Sequence, residues 1–412
     1  MVTFDPLTNP ASSPARMRTL RIVVAAVAAS SELSGVSRHA VNLVSCLLGQ
    51  ESVANVHLLV GDWQRDALEA ILPASPRLRI HSIALRKGSL ARNLWYYKNL
   101  PKIVADLEAD ILHCVYPVPL RHSALSCPVV VTLHDLYPYD IPENFGFPKA
   151  FFNRGILQQC LGSADAIACV SETTYGRLQM YAPDLAIQRA SVVYNCVEAG
   201  PPESAVSPIP GLSGEPFLLC VAQHRHNKNI ALAISTFRSL MDSGELKPNS
   251  RLVVVGIPGP ETGTLRDQIH RECLDASVIL LTGITDAELE WCYAHCDLLL
   301  APSRIEGFGL PIVEAMLHHC AIVCSDIPAF REVGGNYCVY ADLDKNPAGA
   351  FLEAARTALK SHSFRVGNTA RFSSARVAEQ YVSLYQRLVQ HHPVQSAQMP
   401  NPLQAQLKRE RL

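Results

Sequence analysis

The 412-residue chain has no apolar run approaching the roughly 18 residues that cross a bilayer. Its longest early candidate, Ile22 to Ala29, has the length of a buried strand. It has no surplus of charge: 36 Lys and Arg against 37 Asp and Glu leave a net charge of -1, without the basic footprint of a general nucleic-acid binder. It has no Cys-x-x-Cys, and its 13 cysteines are scattered singly from Cys46 to Cys338. An odd, dispersed set excludes a close-set disulfide framework and reads as reduced, mostly buried thiols in a cytoplasmic protein. His318, His319, Cys320 and Cys324 come together by composition, but the cysteines flank and lie in an expected buried strand, so no metal centre is expected there. Gly-x-Ser-x-Gly is absent, which removes the nucleophile elbow of an α/β-hydrolase. Gly256-Ile-Pro-Gly259 lacks the Gly-x-Gly-x-x-Gly spacing, which argues against a nicotinamide cofactor. The first 17 residues hold three prolines and no apolar core, so they are not read as a secretory leader. With 48% hydrophobic and 18% charged residues, most of the chain is not disordered.

What is present is alternation. Short apolar runs at 20–27, 56–60, 78–83, 111–114, 129–133, 166–170 and 192–194 read as strands, with helices at 37–48, 94–107 and 151–161 between some of them. A stretch at 199–216 with five prolines and three glycines reads as a linker. The alternation then restarts, with strands at 217–222, 252–255, 278–281, 298–301 and 321–324 and helices at 229–240, 287–295 and 310–318. Thr285-Asp-Ala-Glu288 is a capping box for the second of these helices. Such alternation implies parallel strands with right-handed crossovers. The expected fold class is α/β, with two Rossmann-like doubly wound domains facing a central cleft. The expected divisions are a disordered N-terminus (1–17), a first domain (18–198), the linker (199–216), a second domain (217–373), a helix at 374–390 packing back on the first domain, and a disordered tail (391–412). Ligands of such sheets bind at the carboxyl ends of the strands, here between the domains.

The segment from Pro302 to Gly335 carries the most chemistry. A strand ends at Pro302-Ser303, and Glu306-Gly307-Phe308-Gly309 forms a loop. A helix then begins with Pro311 in its first turn, where proline is favoured. The free N–H groups of such a loop and turn, with the helix dipole behind them, bind anions, and glycine admits close approach. Glu306 before the loop and Glu314 eight residues on can both reach a ligand held at the helix start. Carboxylates there suit hydroxyl groups.

Read as a whole, Ser-Arg-x-Glu306-Gly-Phe-Gly-Leu-Pro-x-x-Glu314-Ala-Met is similar to the Glu-x7-Glu signature of the family 4 retaining glycosyltransferases of GT-B fold. The likeness extends over most of the stretch from Leu20 to about Gln390. Ser34-Gly35-Val36-Ser37-Arg38-His39 resembles the family's glycine loop facing the donor diphosphate, with Ser34-Gly35 in place of two glycines. Val131-Thr-Leu-His134-Asp135-Leu-Tyr-Pro138 resembles its Thr-x-His-Asp-x-x-Pro stretch, and Asp165 to Glu172 its Ala-Asp-x-Ile-x-x-Val-Ser-Glu run. Tyr194-Asn195-Cys196-Val197-Glu198 stands where Pro-Asn-Gly-Val-Asp is usual. Cys220 to Asn229 resembles the phosphate segment, with Lys228 in register, Gln223 at the usual arginine, and Arg225 in the same loop to supply a guanidinium.

The resemblance implies a retaining hexosyltransferase whose donor is a nucleotide sugar, GDP-mannose first and UDP-hexoses next, bound mainly by the second domain. Lys228, Arg225, Gly35 and the amides of Gly307, Phe308, Gly309 and Leu310 would stabilise the leaving diphosphate. Glu306 would bind the sugar hydroxyls, Glu314 the ribose, and His134 would position the sugar from the first domain. The leaving phosphate takes the acceptor proton, so neither a carboxylate base nor a metal nor any other cofactor is expected. The acceptor is a glycan or lipid-linked glycan of surface polysaccharide or lipopolysaccharide assembly. From Arg77 to Lys102 there are seven basic residues, no acidic one, and Leu94, Trp95, Tyr96 and Tyr97 among them, a pattern that fits peripheral contact with the cytosolic face of the inner membrane. Two other readings keep the fold: a GT-B sugar-nucleotide epimerase and a non-catalytic nucleotide-sugar-binding subunit.

Overall fold

A computed structural model describes residues 19–28, 34–198, 207–360 and 367–392, and in it the alternation closes into two parallel sheets. The first has β1 (Leu20–Ala25), β2 (Val53–Gly61), β3 (Leu78–Ile83), β4 (Ile111–Cys114), β5 (Val129–Leu133), β6 (Ala166–Cys169) and β7 (Ala190–Val192), in the order β3-β2-β1-β4-β5-β6-β7. The second has β8 (Phe217–Val221), β9 (Arg251–Val255), β10 (Val278–Leu281), β11 (Leu298–Ala301), β12 (Ile322–Ser325) and β13 (Val339–Ala341), in the order β10-β9-β8-β11-β12-β13. Helices cover both faces, which is why the strands read as unbroken apolar runs. In β1, Ile22 and Val24 enter one core while Val23 and Ala25 enter the other. Each sheet reverses its winding beside its first strand, between β1 and β4 and between β8 and β11. Crevices open at the carboxyl ends of strands at such reversals, and the loops singled out above leave β1, β8 and β11 there.

The last helix, Ser374–His391, buries Val377, Ala378, Tyr381, Val382, Leu384 and Tyr385 in the first domain's core, against the helix Gly35–Leu48. The chain therefore crosses between the domains twice. The two crossings lie side by side: Val197 N–H donates to the Phe372 carbonyl at 2.9 Å, and Ser374 N–H donates to the Glu198 carboxylate.

Several expected boundaries shift. The helix expected at 94–107 is two, Ser89–Lys98 and Leu100–Asp106, because Pro101 suits only a helix start. The seventh strand is Ala190–Val192 rather than 192–194. The helices Thr262–Arg271, Pro328–Gly334 and Pro347–Lys360 and the strand β13 were not anticipated. Of the expected linker, residues 199–206 lie outside the described residues, whereas Ile209 and Leu212 are buried in the second core. The stretch 1–17 and the tail from 393 onward also lie outside them, while His391 closes the last helix. The aromatic stripe at 94–97 is not wholly exposed: Tyr96 is fully buried, its hydroxyl donating to the Val27 carbonyl, and Trp95 packs against it.

Candidate active site

The site is assembled where the two winding reversals face one another. After β8 the chain passes Gln223 and Arg225 into the 3-10 turn His226–Lys228. After β11 it forms the 302–309 loop and enters the helix Leu310–Leu317 through Gly309, whose φ of 118° disfavours any side chain. From the first domain, the helix Gly35–Leu48 starts opposite, with Ser34 Oγ accepting from Ser37 N–H at 3.3 Å. A Cβ on Gly35 would stand 3.9 Å from Leu310 Cδ1, so the first turns of two helices, one from each domain, meet across the gap. Their free N–H groups and dipoles make this region attractive to an anion.

Beside them Lys228 Nζ grips both oxygens of Glu306, at 2.6 and 2.7 Å. The pair is largely shielded, with side-chain exposures of 20% and 13%. Tyr137, from the first domain, donates its hydroxyl to Glu306 Oε2 at 3.3 Å. Lys228 and Glu306 line a cleft floored by Cys220, Leu300 and Ala301. Arg225 is exposed on the same side and acts electrostatically on Tyr137. Gln223 is partly exposed, and its carbonyl holds the loop by accepting from Arg225 N–H at 2.7 Å.

His134 follows β5. Its Nε2 lies 2.8 Å from the Val115 carbonyl, which can only accept, so Nε2 carries the proton and Nδ1 keeps a lone pair. Burial depresses its pKa to about 4, opposed by that hydrogen bond, so the ring is neutral near pH 7. It is suited to accept a hydrogen bond from a hydroxyl. Next to it Asp135 is pushed up to about 6 by burial, against the pull of Tyr137 N–H.

Glu314 accepts from Tyr293 Oη at 2.7 Å, and burial raises its pKa against that bond and the nearby Arg38. Arg38 itself crosses the cleft to Asp286 through two bonds of 2.5 Å. Further contacts fasten the two domains. Glu332 accepts from the N–H groups of Glu172 (2.6 Å) and Thr173 (2.9 Å), satisfying the start of the helix Glu172–Tyr181 from the opposite domain. Ser171 and Thr174 hydroxyls donate to the Gly307 carbonyl at 2.5 and 3.0 Å.

Of the residues expected in the site, Gly35, Lys228, Glu306, Gly307, Gly309, Leu310 and His134 lie around one gap, and Glu314 lies one turn further along its helix. Phe308 does not face the gap with its side chain: the ring is buried between Tyr194 and Phe372, which leaves only its peptide for a ligand. Tyr137 and Arg38 were not singled out, although both sit in stretches that were; nothing in their spacing distinguishes a cleft-facing side chain from its neighbours. Asp342-Leu343-Asp344 is an Asp-x-Asp, but it follows the edge strand β13 and folds on itself, Asp344 N–H donating to Asp342 at 2.9 Å. Among the described residues no group of three His, Cys, Asp or Glu is placed to hold a metal ion.

Two Rossmann-like domains with a glycine loop, an acid-bracketed helix start and a lysine meeting at their interface define a GT-B glycosyltransferase. Residues 206–366 match the family profile "Glycosyl transferases group 1", and residues 33–200 match "Glycosyltransferase Family 4". The chain belongs to the family 4 glycosyltransferases. It is similar to the O-antigen chain mannosyltransferase B of Escherichia coli, at 24% identity over 368 residues, covering 85% of this chain and 94% of that one. It is 28% identical over 215 residues to the O-antigen chain mannosyltransferase RfbU of Salmonella typhimurium, covering 52% of this chain and 56% of that one. Among solved structures, the sucrose-phosphate synthase of Thermosynechococcus elongatus superposes with a TM-score of 0.70 at 16% identity, over 90% of this chain and all of that one, which is a likeness of fold.

Proposed function

We propose that the protein is a retaining, metal-independent hexosyltransferase that moves mannose from GDP-mannose to a glycan or lipid-linked acceptor in surface polysaccharide or lipopolysaccharide assembly, at the cytosolic face of the membrane. The observation that carries this is the Lys228–Glu306 pair set beside two helix starts contributed by opposite domains. Lys228 and the amides of 307–310 stabilise the departing diphosphate, and preorganised donors of this kind are each worth roughly 3–4 kcal/mol of barrier. Arg225 stands in the loop where the family's arginine is replaced by Gln223. Glu306 and the Nδ1 of His134 accept from sugar hydroxyls, Glu314 from the ribose. The sugar–phosphate bond breaks with oxocarbenium character, and the leaving phosphate takes the acceptor's proton. Lys228 and Glu306 hold each other, so the cation for the diphosphate and the carboxylate for the sugar stand side by side. Mannose as the sugar is supported by the names of the relatives.

Thermal-shift measurements with GDP-mannose, UDP-glucose and UDP-galactose test the donor. At 100 times its dissociation constant the right ligand adds about 2.7 kcal/mol of stability, and a shift with UDP sugars alone would remove GDP-mannose. Incubation of the donor without acceptor separates transfer from epimerisation: an epimer formed from donor alone would favour the epimerase.

Membrane contact rests on the first domain. Among the described residues no helix is long and apolar enough to cross a membrane. Among the described residues the exposed large apolar side chains all belong to this domain, and six of the nine gather on two helices: Leu90, Leu94 and Tyr97 on the helix Ser89–Lys98, Phe151 and Phe152 on the helix Lys149–Ser163, and Phe147 just before it, 93% exposed. Both helices pack on the same core of the first sheet, and residues 145–164 carry Lys149 and Arg154 but no acid. Apolar prongs among basic residues suit an anionic bilayer. Co-sedimentation with phosphatidylglycerol vesicles is expected to exceed that with phosphatidylcholine, and Phe147→Ser with Phe151→Ser is expected to lower the partition constant by roughly 100-fold or more, each fully buried aromatic contributing roughly 1.5–3 kcal/mol. Equal sedimentation of wild type and double variant would remove this surface from the proposal.

A further inference from the structure

Beneath His134 runs a line of buried polar side chains that sugar transfer, as described, leaves without a task. Tyr385 Oη lies 2.5 Å from His113 Nδ1, and His113 Nε2 lies 2.8 Å from Thr132 Oγ1. Thr132 Oγ1 lies 3.2 Å from His39 Nε2, and His39 Nδ1 lies 2.8 Å from Asn195 Oδ1. All five side chains are buried, none more than 3% exposed. They come from five places: the last helix, β4, β5, the helix Gly35–Leu48 and the segment after β7.

The protons in this line are not free to choose. A neutral imidazole has one N–H and a hydroxyl has one proton. The Asn195 oxygen only accepts, so His39 carries its proton on Nδ1 and accepts at Nε2. Thr132 is the donor to that nitrogen, and its oxygen must then accept from His113 Nε2–H. His113 Nδ1 is left to accept from Tyr385. With the Asn195 oxygen toward His39, one order satisfies every group, running from Tyr385 through His113, Thr132 and His39 to Asn195. Burial supports single-proton rings, lowering His39 well below its ordinary value and His113 to about 3. Apolar side chains of similar size would fill this core without the desolvation that five polar groups incur. What such a chain provides in return is one fixed arrangement of its rings.

The far end of that arrangement touches the site. The His39 and His134 rings meet edge to face, with centroids 4.8 Å apart and planes at 85°. His134 is held at one edge by its bond to Val115, and His39 makes a second, edge-to-face contact with the ring. We propose that His39, oriented by Tyr385, His113, Thr132 and Asn195, is a positioning residue that locks the His134 ring with its Nδ1 lone pair turned to the donor sugar. The proposal rests on the reading of His134 as the sugar-facing histidine. It makes the last helix, through a single hydroxyl, part of the catalytic apparatus of the other end of the domain.

Tyr385→Phe removes that hydroxyl and leaves the ring packed, so the fold is retained. Three measurements decide. In the wild type, nitrogen-15 histidine spectra are expected to show His39 as the Nδ1–H tautomer and His113 as the Nε2–H tautomer, and Tyr385→Phe is expected to give mixtures. In steady-state kinetics Tyr385→Phe is expected to lower kcat roughly 3- to 10-fold, the scale of one net hydrogen bond, with donor KM within about 2-fold. His134→Ala is expected to lower kcat further. Mixed tautomers in the wild type, or an unchanged kcat in Tyr385→Phe beside an impaired His134→Ala, would overturn the chain alone. An unimpaired His134→Ala would overturn the reading of His134 and the proposal with it.

Discussion

Replacing Gly307 by alanine is expected to lower kcat on the order of 10²-fold, the loss that follows when reacting groups are displaced by about an ångström. An added Cβ would lie 1.8 Å from the His134 carbonyl oxygen and 3.3 Å from Thr174 Oγ1. Neither obstacle can swing away. The carbonyl is backbone at the end of β5, and Thr174 is fixed by its bonds to His134 O and Gly307 O. Gly307 is not among the glycines with positive φ, so alanine does not strain its own backbone and the whole effect falls on the contact between domains. Each domain keeps its core, and the second keeps Lys228, Glu306 and Glu314. Nucleotide binding, measured by calorimetry, is therefore expected to persist within a few-fold while turnover collapses, since the domains can no longer close to the distance at which His134 and Glu306 share a substrate. Wild-type kcat in this variant would show that closure at this point is irrelevant to the chemistry.

The second large effect concerns the charge pair. Lys228→Ala is expected to cost roughly 10²–10³ in kcat, the usual consequence of deleting one preorganised donor. Glu306→Ala is expected to cost a similar amount for the opposite reason: the sugar loses its acceptor, and Lys228 is left shielded without its partner at 2.6 Å. Because each residue sets the position of the other, the losses are expected not to add. The double variant should be less impaired than the product of the two, and a double-mutant cycle on kcat/KM measures the difference. Strict additivity would mean that the two act independently and that the bonds between them have no bearing on turnover.

How much of this was legible beforehand depends on how local each feature is. The helix start at 309–311 could be read from residues alone, because a strand end, two glycines and Pro311 lie within a dozen positions and each has a backbone reason to be there. The same holds for the capping box at Thr285, which forms with both of its bonds. The alternation of the strands announced parallel sheets because both faces are buried. What escaped was set by partners distant in sequence. Arg38 and Asp286 are 248 positions apart, and Glu332 meets Thr173 across 159. Phe308, inside the motif itself, points into the core because Tyr194 and Phe372 leave space for it there, a fact that no local pattern encodes. Tyr96 disappears from an apparently exposed aromatic stripe because its hydroxyl finds the Val27 carbonyl. The motif was readable; the orientation of its members was not.

The pairing of Val197 with Phe372 alters what opening can be. A single tether would let two bodies tumble; two strands of chain running together act as the pin of a door, leaving one axis of swing. The mouth of the enzyme should therefore widen and narrow along one arc, and a cut in either crossing would leave the other still joining the two halves.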